Sequence, residues 1–208
     1  MATASLNQTK SSISAEFEVV QDGAAILNAK IPFNYPGYHA EIYEHGELKY
    51  SIRWDIGKNL NGVVPKGSNK ELAVYNVCDA CGNAIGQLSR KRSKLWGGYF
   101  YFVLELSGVE YKLYEIGLGK QGIKLPVFHN DLQIALVEKD ITVYNNCDTY
   151  QILFGNDTSL LVSVLLTLYY DNLRFGNHGE VVTNSKKSFY YLSTNKELKG
   201  KYNPDWRP

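Results

Sequence analysis

The segment from Asp157 to Asn172 most constrains the fold, because it is apolar on every side. Between Leu160 and Tyr170, only Ser163 and Thr167 interrupt the apolar run. A helix on a protein surface has one apolar stripe and one polar face, so a helix with no polar face must be enclosed. The run is shorter than the roughly 20 apolar residues that span a bilayer, which favours a protein interior.

Residues that begin and end helices flank this segment. Asp157, Thr158 and Ser159 can cap the first amide groups, and Gly176 can end the last turn. The pattern therefore predicts one enclosed helix over residues 157–174.

Composition narrows the class of protein. The 208 residues suit one domain with a sizeable core. Lys plus Arg is 22 and Asp plus Glu is 21, and this balance argues against binding nucleic acid by bulk charge. Tyr supplies 16 residues and favours half-buried pleated surfaces, so we expect mainly β structure.

The N-terminus and the cysteines indicate the compartment. Residues 1–15 are polar and rich in Ser and Thr, which predicts a disordered polar tail. They lack the basic-then-apolar pattern of a secretion signal, and three Cys residues suit a reducing compartment. We expect a cytoplasmic protein that associates, if at all, peripherally with a membrane surface.

Short alternating segments separated by turn residues fill the chain before the helix. Asp22-Gly23, His45-Gly46 and Ser107-Gly108 are typical hairpin turns. The predicted strands cover residues 16–21, 24–30, 38–43, 48–54, 71–77, 84–91, 99–106, 109–116, 123–129, 131–138, 141–144 and 149–154. No strand–helix alternation occurs, so the sheet is expected to be antiparallel.

The strands and the helix explain each other. Antiparallel strands leave open edges unless the sheet closes, and a closed barrel of more than about eight strands needs something to fill it. A helix without a polar face is a suitable filling. We predict a mainly β protein, an antiparallel closed barrel of about twelve strands that encloses one C-terminal hydrophobic α-helix.

Two stretches resemble a known superfamily. Tyr150-Gln151-Ile152-Leu153-Phe154 precedes the hydrophobic helix, and Gly82 to Arg90 leads into Gly97-Gly98-Tyr99-Phe100. This order resembles the tubby C-terminal, phospholipid-scramblase and LURP-one-related superfamily over residues 16–176. The resemblance implies a twelve-stranded barrel threaded by a C-terminal helix and a non-catalytic module without a cofactor, which binds phosphoinositides in the tubby branch.

The resemblance carries over no site residue directly. The tubby phosphoinositide motif has Lys and Arg where this chain has Gln87 and Ser89. The densest basic run lies just beyond, at Arg90, Lys91, Arg92 and Lys94, which we call the basic cluster. Its side chains are expected to fan outward and hold anionic phospholipid headgroups. The alternative is a solvated strand end that prevents sheets from pairing.

Cys78 and Cys81 have the spacing of half a zinc knuckle. Cys147 with His129 or His178 could complete a tetrahedral site, and this set is the basis of an alternative metal-binding or redox function. A redox motif of this kind needs a strand–helix–strand context, which the pattern lacks. A hairpin turn that carries two cysteines is the favoured interpretation.

Other polar residues favour structural roles. Strand alternation puts His39 and Glu41 on one face, with His45 in the following turn, so a solvated face is favoured over a ligand set. Ser163 and Thr167 lie one helical turn apart and are expected to bond the helix backbone. No nucleophile elbow, phosphate loop or metalloprotease motif occurs, so we expect no enzyme.

Residues 177–208 form a mildly basic C-terminal extension, expected to cover apolar surface or to act as a recognition tail. The predicted function is a non-catalytic binding or tethering module, with no transmembrane segment. Its exterior would bind a protein partner or anionic phospholipid headgroups.

Overall fold

Thirteen strands and two α-helices make up the regular structure of the computed structural model, which describes residues 2–32, 39–55, 73–94, 98–182 and 195–208. The strands are β1 (Ala2–Lys10), β2 (Ala15–Gln21), β3 (Ala24–Ile31), β4 (Ala40–Glu44), β5 (Glu47–Trp54), β6 (Tyr75–Asp79), β7 (Ala84–Arg92), β8 (Phe100–Leu106), β9 (Val109–Tyr114), β10 (Ile116–Gly117), β11 (Ile123–His129), β12 (Leu132–Lys139) and β13 (Thr149–Phe154). The helices are α1 (Asp157–Phe175) and α2 (Lys196–Lys199), and a 3-10 helix covers Gly119–Gln121.

Twelve of the strands form a closed antiparallel ring. Each strand pairs with its neighbours in the order β11-β12-β13-β1-β2-β3-β4-β5-β6-β7-β8-β9. The pairing of β11 with β9, in which Val127 lies opposite Leu113, closes the ring, and the two-residue β10 adds to β11. The predicted barrel of about twelve strands is confirmed, and closure satisfies edges that would otherwise pair with other chains.

Helix α1 is enclosed, as its all-round apolar sequence predicted. Leu165 and Leu168 have no exposed surface. Near its end, Tyr169 and Tyr170 pack edge-on against Phe102 of β8, with ring centres 5.9 and 5.3 Å apart. Buried apolar side chains of the twelve ring strands form one cluster with those of α1, so the helix is the centre of the core.

The caps of α1 are one residue earlier than predicted at its start and as predicted at its end. Asn156, rather than Asp157, accepts a 2.9 Å hydrogen bond from the Ser159 amide, and the Ser159 hydroxyl lies 3.0 Å from the Asn156 amide in return. Gly176 adopts a left-handed φ of 61°, which glycine tolerates without strain, and its amide bonds Asn172 O.

The prediction of a disordered N-terminal tail was wrong, because Ala2–Lys10 forms β1 between β13 and β2. Its alternate side chains Ala4, Leu6 and Gln8 are buried. Because only these three positions face the core, the other residues of the strand are polar. The composition of the segment therefore resembles that of a disordered tail. Backbone hydrogen bonds to two neighbouring strands hold it in place.

The predicted strand 141–144 was also wrong. Tyr144 and Cys147 instead bracket a tight turn, with reciprocal backbone hydrogen bonds of 3.3 and 2.8 Å. Asn145 and Asn146 have φ of 50° and 60°, a region that Asn tolerates better than most residues. The ring thus has the expected number of strands, but β1 takes the place of the predicted strand 141–144. Parts of predicted strands 38–43 and 71–77 lie outside the described residues.

The described end of the C-terminal extension lies against the outside of the barrel. Leu198 of α2 is buried in a second cluster that includes Tyr99, Tyr114 and Phe128. The Tyr99 hydroxyl donates a 3.0 Å hydrogen bond to Glu197. The extension therefore covers an aromatic patch on the outer face, as one of the two expectations for it proposed.

Candidate binding surfaces

The basic side chains on β7 lie on both faces of the strand. Leu88 points into the core, and Arg90 and Arg92 follow it at alternate positions. The Arg90 guanidinium carbon lies 4.0 Å from the ring centre of Phe100 and 5.8 Å from that of Phe102. Arg90 is half-buried, so the expectation that all four side chains fan outward was wrong for this residue. It points inward because strand alternation overrides the general preference of Arg for solvent.

The other three members are exposed. Arg92 lies 5.4 Å from the ring centre of Phe100. Lys91 Nζ is 3.4 Å from Glu110, and Lys94 Nζ is 3.5 Å from Glu197. Exposed ion pairs of this kind contribute about 0–1 kcal/mol, so both ammonium groups can exchange these partners for another anion.

The two cysteines of the half knuckle have different surroundings. Cys78 is buried, Cys81 is exposed, and both are free thiols. Between them Asp79 accepts hydrogen bonds from the Asn83 backbone at 2.9 Å and side chain at 3.0 Å, and these bonds lower the pKa of Asp79. These contacts are typical of a hairpin turn, the favoured interpretation of this sequence.

The remaining candidate metal ligands lie in separate places. His129 Nδ1 is 3.3 Å from Glu110 O, whereas His178 Nδ1 is 3.1 Å from Ser11 Oγ. Cys147 is half-buried, and burial raises the pKa of its thiol. Among the described residues, no group of three or more His, Cys, Asp or Glu side chains could hold a metal ion.

His39, just before β4, and Glu41 on β4 form a pair rather than a three-residue set with His45. His39 Nε2 is 3.3 Å from Glu41, and the Tyr43 hydroxyl donates a 2.7 Å hydrogen bond to the same carboxylate. That hydrogen bond raises the pKa of Tyr43. His45 lies in the next turn with φ of 50°. In α1, the Ser163 hydroxyl donates to Ser159 O at 2.7 Å, as expected. The buried Thr167 hydroxyl has no hydrogen-bond partner among the described residues, so the same expectation was wrong for Thr167.

A buried acid that no sequence pattern predicted lies near the end of α1. Asp171 is fully buried, and its Oδ2 accepts a 2.6 Å hydrogen bond from the Tyr150 hydroxyl. Burial raises the pKa of Asp171 to about 7, although the hydrogen bond from Tyr150 opposes the shift. An ionised carboxylate is costly in such surroundings, so neutral Asp171 persists far above the usual pH range of the group.

A buried ion pair lies at the same end of the barrel. Lys139 Nζ is 2.5 Å from Asp148 Oδ1, and both side chains are fully buried. Lys139 also donates to Glu180 O at 2.8 Å, while the Glu180 amide donates to Asp148 at 3.1 Å. Gln8 of β1 receives a 3.0 Å hydrogen bond from the Asp148 amide. These bonds tie β1, β12 and the segment after α1 into one unit. The alternation of β12 could have predicted this buried lysine, because Lys139 lies on the same inward face as Ala135 and Val137.

An open cleft of about 310 Å³ lies at the opposite end, where α1 begins. Its apolar lining includes Leu27, Tyr50 and Leu161, and the Glu44–Lys49 ion pair, 2.9 Å long, lies at its border. The volume is at the small end of the range for ligand pockets.

No helix among the described residues is long and apolar enough to cross a bilayer. No family model, no curated protein and no solved structure matches this chain.

Proposed function

We propose that the protein is a non-catalytic binding module that attaches to anionic phospholipid headgroups through the exterior of its barrel. The observation that carries the proposal is the filled interior. Leu165 and Leu168 of α1 have no exposed surface, so the space that a larger barrel could offer a substrate is taken by the chain itself. Ligand recognition is therefore assigned to the outside.

The basic cluster is the proposed headgroup site. Arg92, Lys91 and Lys94 are exposed, and stacking of Arg90 and Arg92 on Phe100 restricts where the guanidinium groups can point. An oriented guanidinium offers a phosphate two parallel hydrogen bonds. Each basic residue near an anionic membrane contributes about 1 kcal/mol. The resemblance to the tubby-related superfamily also supports this ligand class, and a cytoplasmic, membrane-peripheral location accompanies it.

Vesicle co-sedimentation tests the proposal. The parent protein should bind vesicles of phosphatidylcholine with phosphoinositide. Combined replacement of Lys91, Arg92 and Lys94 by Ala should weaken binding by at least about tenfold, given about 1 kcal/mol for each charge. These positions are exposed, so the variant should remain folded.

A charge-matched control separates a site from general attraction. Replacing Lys49 by Glu and Asn130 by Asp lowers the net charge by the same three units, two at Lys49 and one at Asn130, at the end of the barrel where α1 begins, and should leave binding unchanged. Equal loss in both variants, or none in either, would refute the site. If the parent protein binds no vesicles but binds another protein through the same face, a protein-binding module would be favoured over a lipid-binding one.

The metal or redox alternative has less support, because Cys78 is buried while Cys81 is exposed across the hairpin turn. Elemental analysis of purified protein decides it. Stoichiometric zinc that is lost on replacing Cys81 by Ser would favour this alternative over the binding module.

A further inference from the structure

Exposed apolar side chains are concentrated at the end of the barrel where α1 terminates. Ile13 is 73% exposed, Tyr144 78%, Val181 57% and Ile141 46%. Among the described residues, the other large apolar side chain that is exposed is Leu132, at 69%. Leu132 begins β12, whereas the loop with Ile141 and Tyr144 follows the end of β12, so Leu132 lies at the opposite end.

We call Ile13, Ile141, Tyr144 and Val181 the apolar rim. Its three loops are joined by hydrogen bonds. Asn146 Nδ2 donates to Ser11 Oγ at 3.0 Å, and Ser11 Oγ lies 3.1 Å from His178 Nδ1. The Gly179 amide donates to Asn146 O at 2.8 Å. Ile13, Tyr144 and Val181 each lie two positions from one of these contacts, and Ile141 belongs to the same loop as Tyr144, so the loops hold the rim on one platform.

The platform is braced from beneath. The buried Lys139–Asp148 pair binds both the amide and the carbonyl of Glu180, next to Val181. The tight turn from Tyr144 to Cys147 fixes the second loop. A rigid platform loses little conformational entropy on binding, and clustered exposed apolar side chains usually mark an interaction surface.

We propose that the apolar rim inserts into the surface of an anionic lipid bilayer while the basic cluster contacts headgroups, an inference that rests on the proposed function. The two features lie at the same end of the barrel. Arg92 ends β7 opposite Phe100, and Phe102 next to it packs against Tyr169 and Tyr170 near the end of α1. The barrel would thus stand on the membrane with the last turn of α1 facing it.

The chemistry of the rim fits a bilayer. Its four side chains come from loops and turns outside the strands. Tyr is favoured at the boundary between headgroups and acyl chains, because its ring is apolar and its hydroxyl is polar. Asp140 and Glu180 are the exposed acidic residues of these loops, so electrostatic attraction comes from the basic cluster and apolar insertion from the rim.

Vesicle binding of two variants tests the inference. Replacing Ile13, Ile141, Tyr144 and Val181 by Ser should weaken binding to phosphatidylcholine–phosphatidylserine vesicles by at least about tenfold, since each side chain loses its apolar burial. The control Leu132→Ser removes an equally exposed side chain at the other end and should bind as the parent does. Circular dichroism should show both variants folded.

The outcomes distinguish the two proposals. If the rim variant binds like the parent while the Lys91, Arg92 and Lys94 variant does not, insertion is refuted and headgroup binding stands. If the reverse holds, the basic site is refuted and insertion stands. If the parent binds no vesicles and the rim variant instead converts a dimer to a monomer in gel filtration, both are refuted.

A second measurement reads insertion directly. The parent protein has three tryptophans, and its emission is subtracted as the background. Above that background, the tryptophan introduced by Tyr144→Trp should shift to shorter emission wavelengths with vesicles and be quenched by lipids brominated on their acyl chains. The tryptophan introduced by Leu132→Trp should show neither change. Equal quenching of both variants, or of neither, would overturn the orientation.

Discussion

The Tyr150 hydroxyl donates a 2.6 Å hydrogen bond to Asp171 inside a core that water does not reach. Burial raises the pKa of Asp171 from 3.8 to about 7, with Asp148 adding to the shift and Lys139 opposing it. The folded protein therefore keeps a proton on Asp171 between about pH 4 and pH 7, whereas the unfolded chain releases it. Asp171 therefore adds to the free energy of unfolding at low pH, and this contribution is lost as the pH rises through that window.

Asp171→Asn should flatten this dependence. The amide stays neutral at every pH and retains an oxygen that can accept the Tyr150 hydrogen bond. Between pH 4 and pH 8 the free energy of unfolding of the parent should fall, relative to that of the variant, by up to about 4 kcal/mol. Urea unfolding at a series of pH values measures it. Parallel curves for the two proteins would show that Asp171 titrates normally.

Lys139 and Asp148 should behave as a coupled pair. Lys139→Met leaves Asp148 buried without its cation and should cost about 3–5 kcal/mol of unfolding free energy. Replacing both, by Met and Asn, should cost clearly less than the two single changes added together. Denaturant unfolding of the four proteins gives the coupling energy, and simple additivity would contradict the pairing.

The enclosed helix predicts a contrast between two leucines. Leu165 is fully buried and Leu161 is only half-buried at the start of α1. Leu165→Ala should cost about 2–5 kcal/mol, and Leu161→Ala clearly less, because its removal leaves a smaller cavity. Thermal unfolding of both variants tests this. Equal costs would mean that the two sides of the helix are equally enclosed or equally open.

Strand β1 should be as essential as any other strand of the ring. Leu6 is fully buried, whereas Thr3 on the same strand is exposed. Leu6→Ala should lower the unfolding free energy by about 2–5 kcal/mol and Thr3→Ala by less than about 1 kcal/mol. Slow hydrogen exchange of the β1 amides would agree with this assignment. Rapid exchange throughout Ala2–Lys10 would restore the tail interpretation.

The barrel could be predicted because strands and helices have characteristic periodic patterns of apolar residues. Alternation over segments such as 149–154 identified strands, and the unbroken apolar run of α1 required an enclosure. Strand β1 was missed because half of its positions face water and carry Ser, Thr and Asn. The segment 141–144 was mistaken for a strand because Ile141, Val143 and Tyr144 are typical of strands, although two of them are exposed.

Polar chemistry inside the barrel was beyond sequence reasoning. Asp171 directly follows the apolar run that ends at Tyr170 and has the appearance of the polar end of the helix, yet Tyr150 reaches it from β13. Lys139 and Asp148 become partners only when the loop between β12 and β13 folds over the barrel end. The directions of the basic side chains depend on which face of β7 points into the barrel. Arg90 and Arg92 lie on the same face of the strand as the buried Leu88.

Ring closure through β1 sets an order on synthesis. Strand β1 can pair with β2 as soon as both have left the ribosome, but its other neighbour, β13, is made only just before α1. The nascent barrel therefore carries an open hydrogen-bonding edge and an unfilled apolar concavity until β13 and α1 have been made. Chaperone capture of partial chains should end abruptly once α1 emerges.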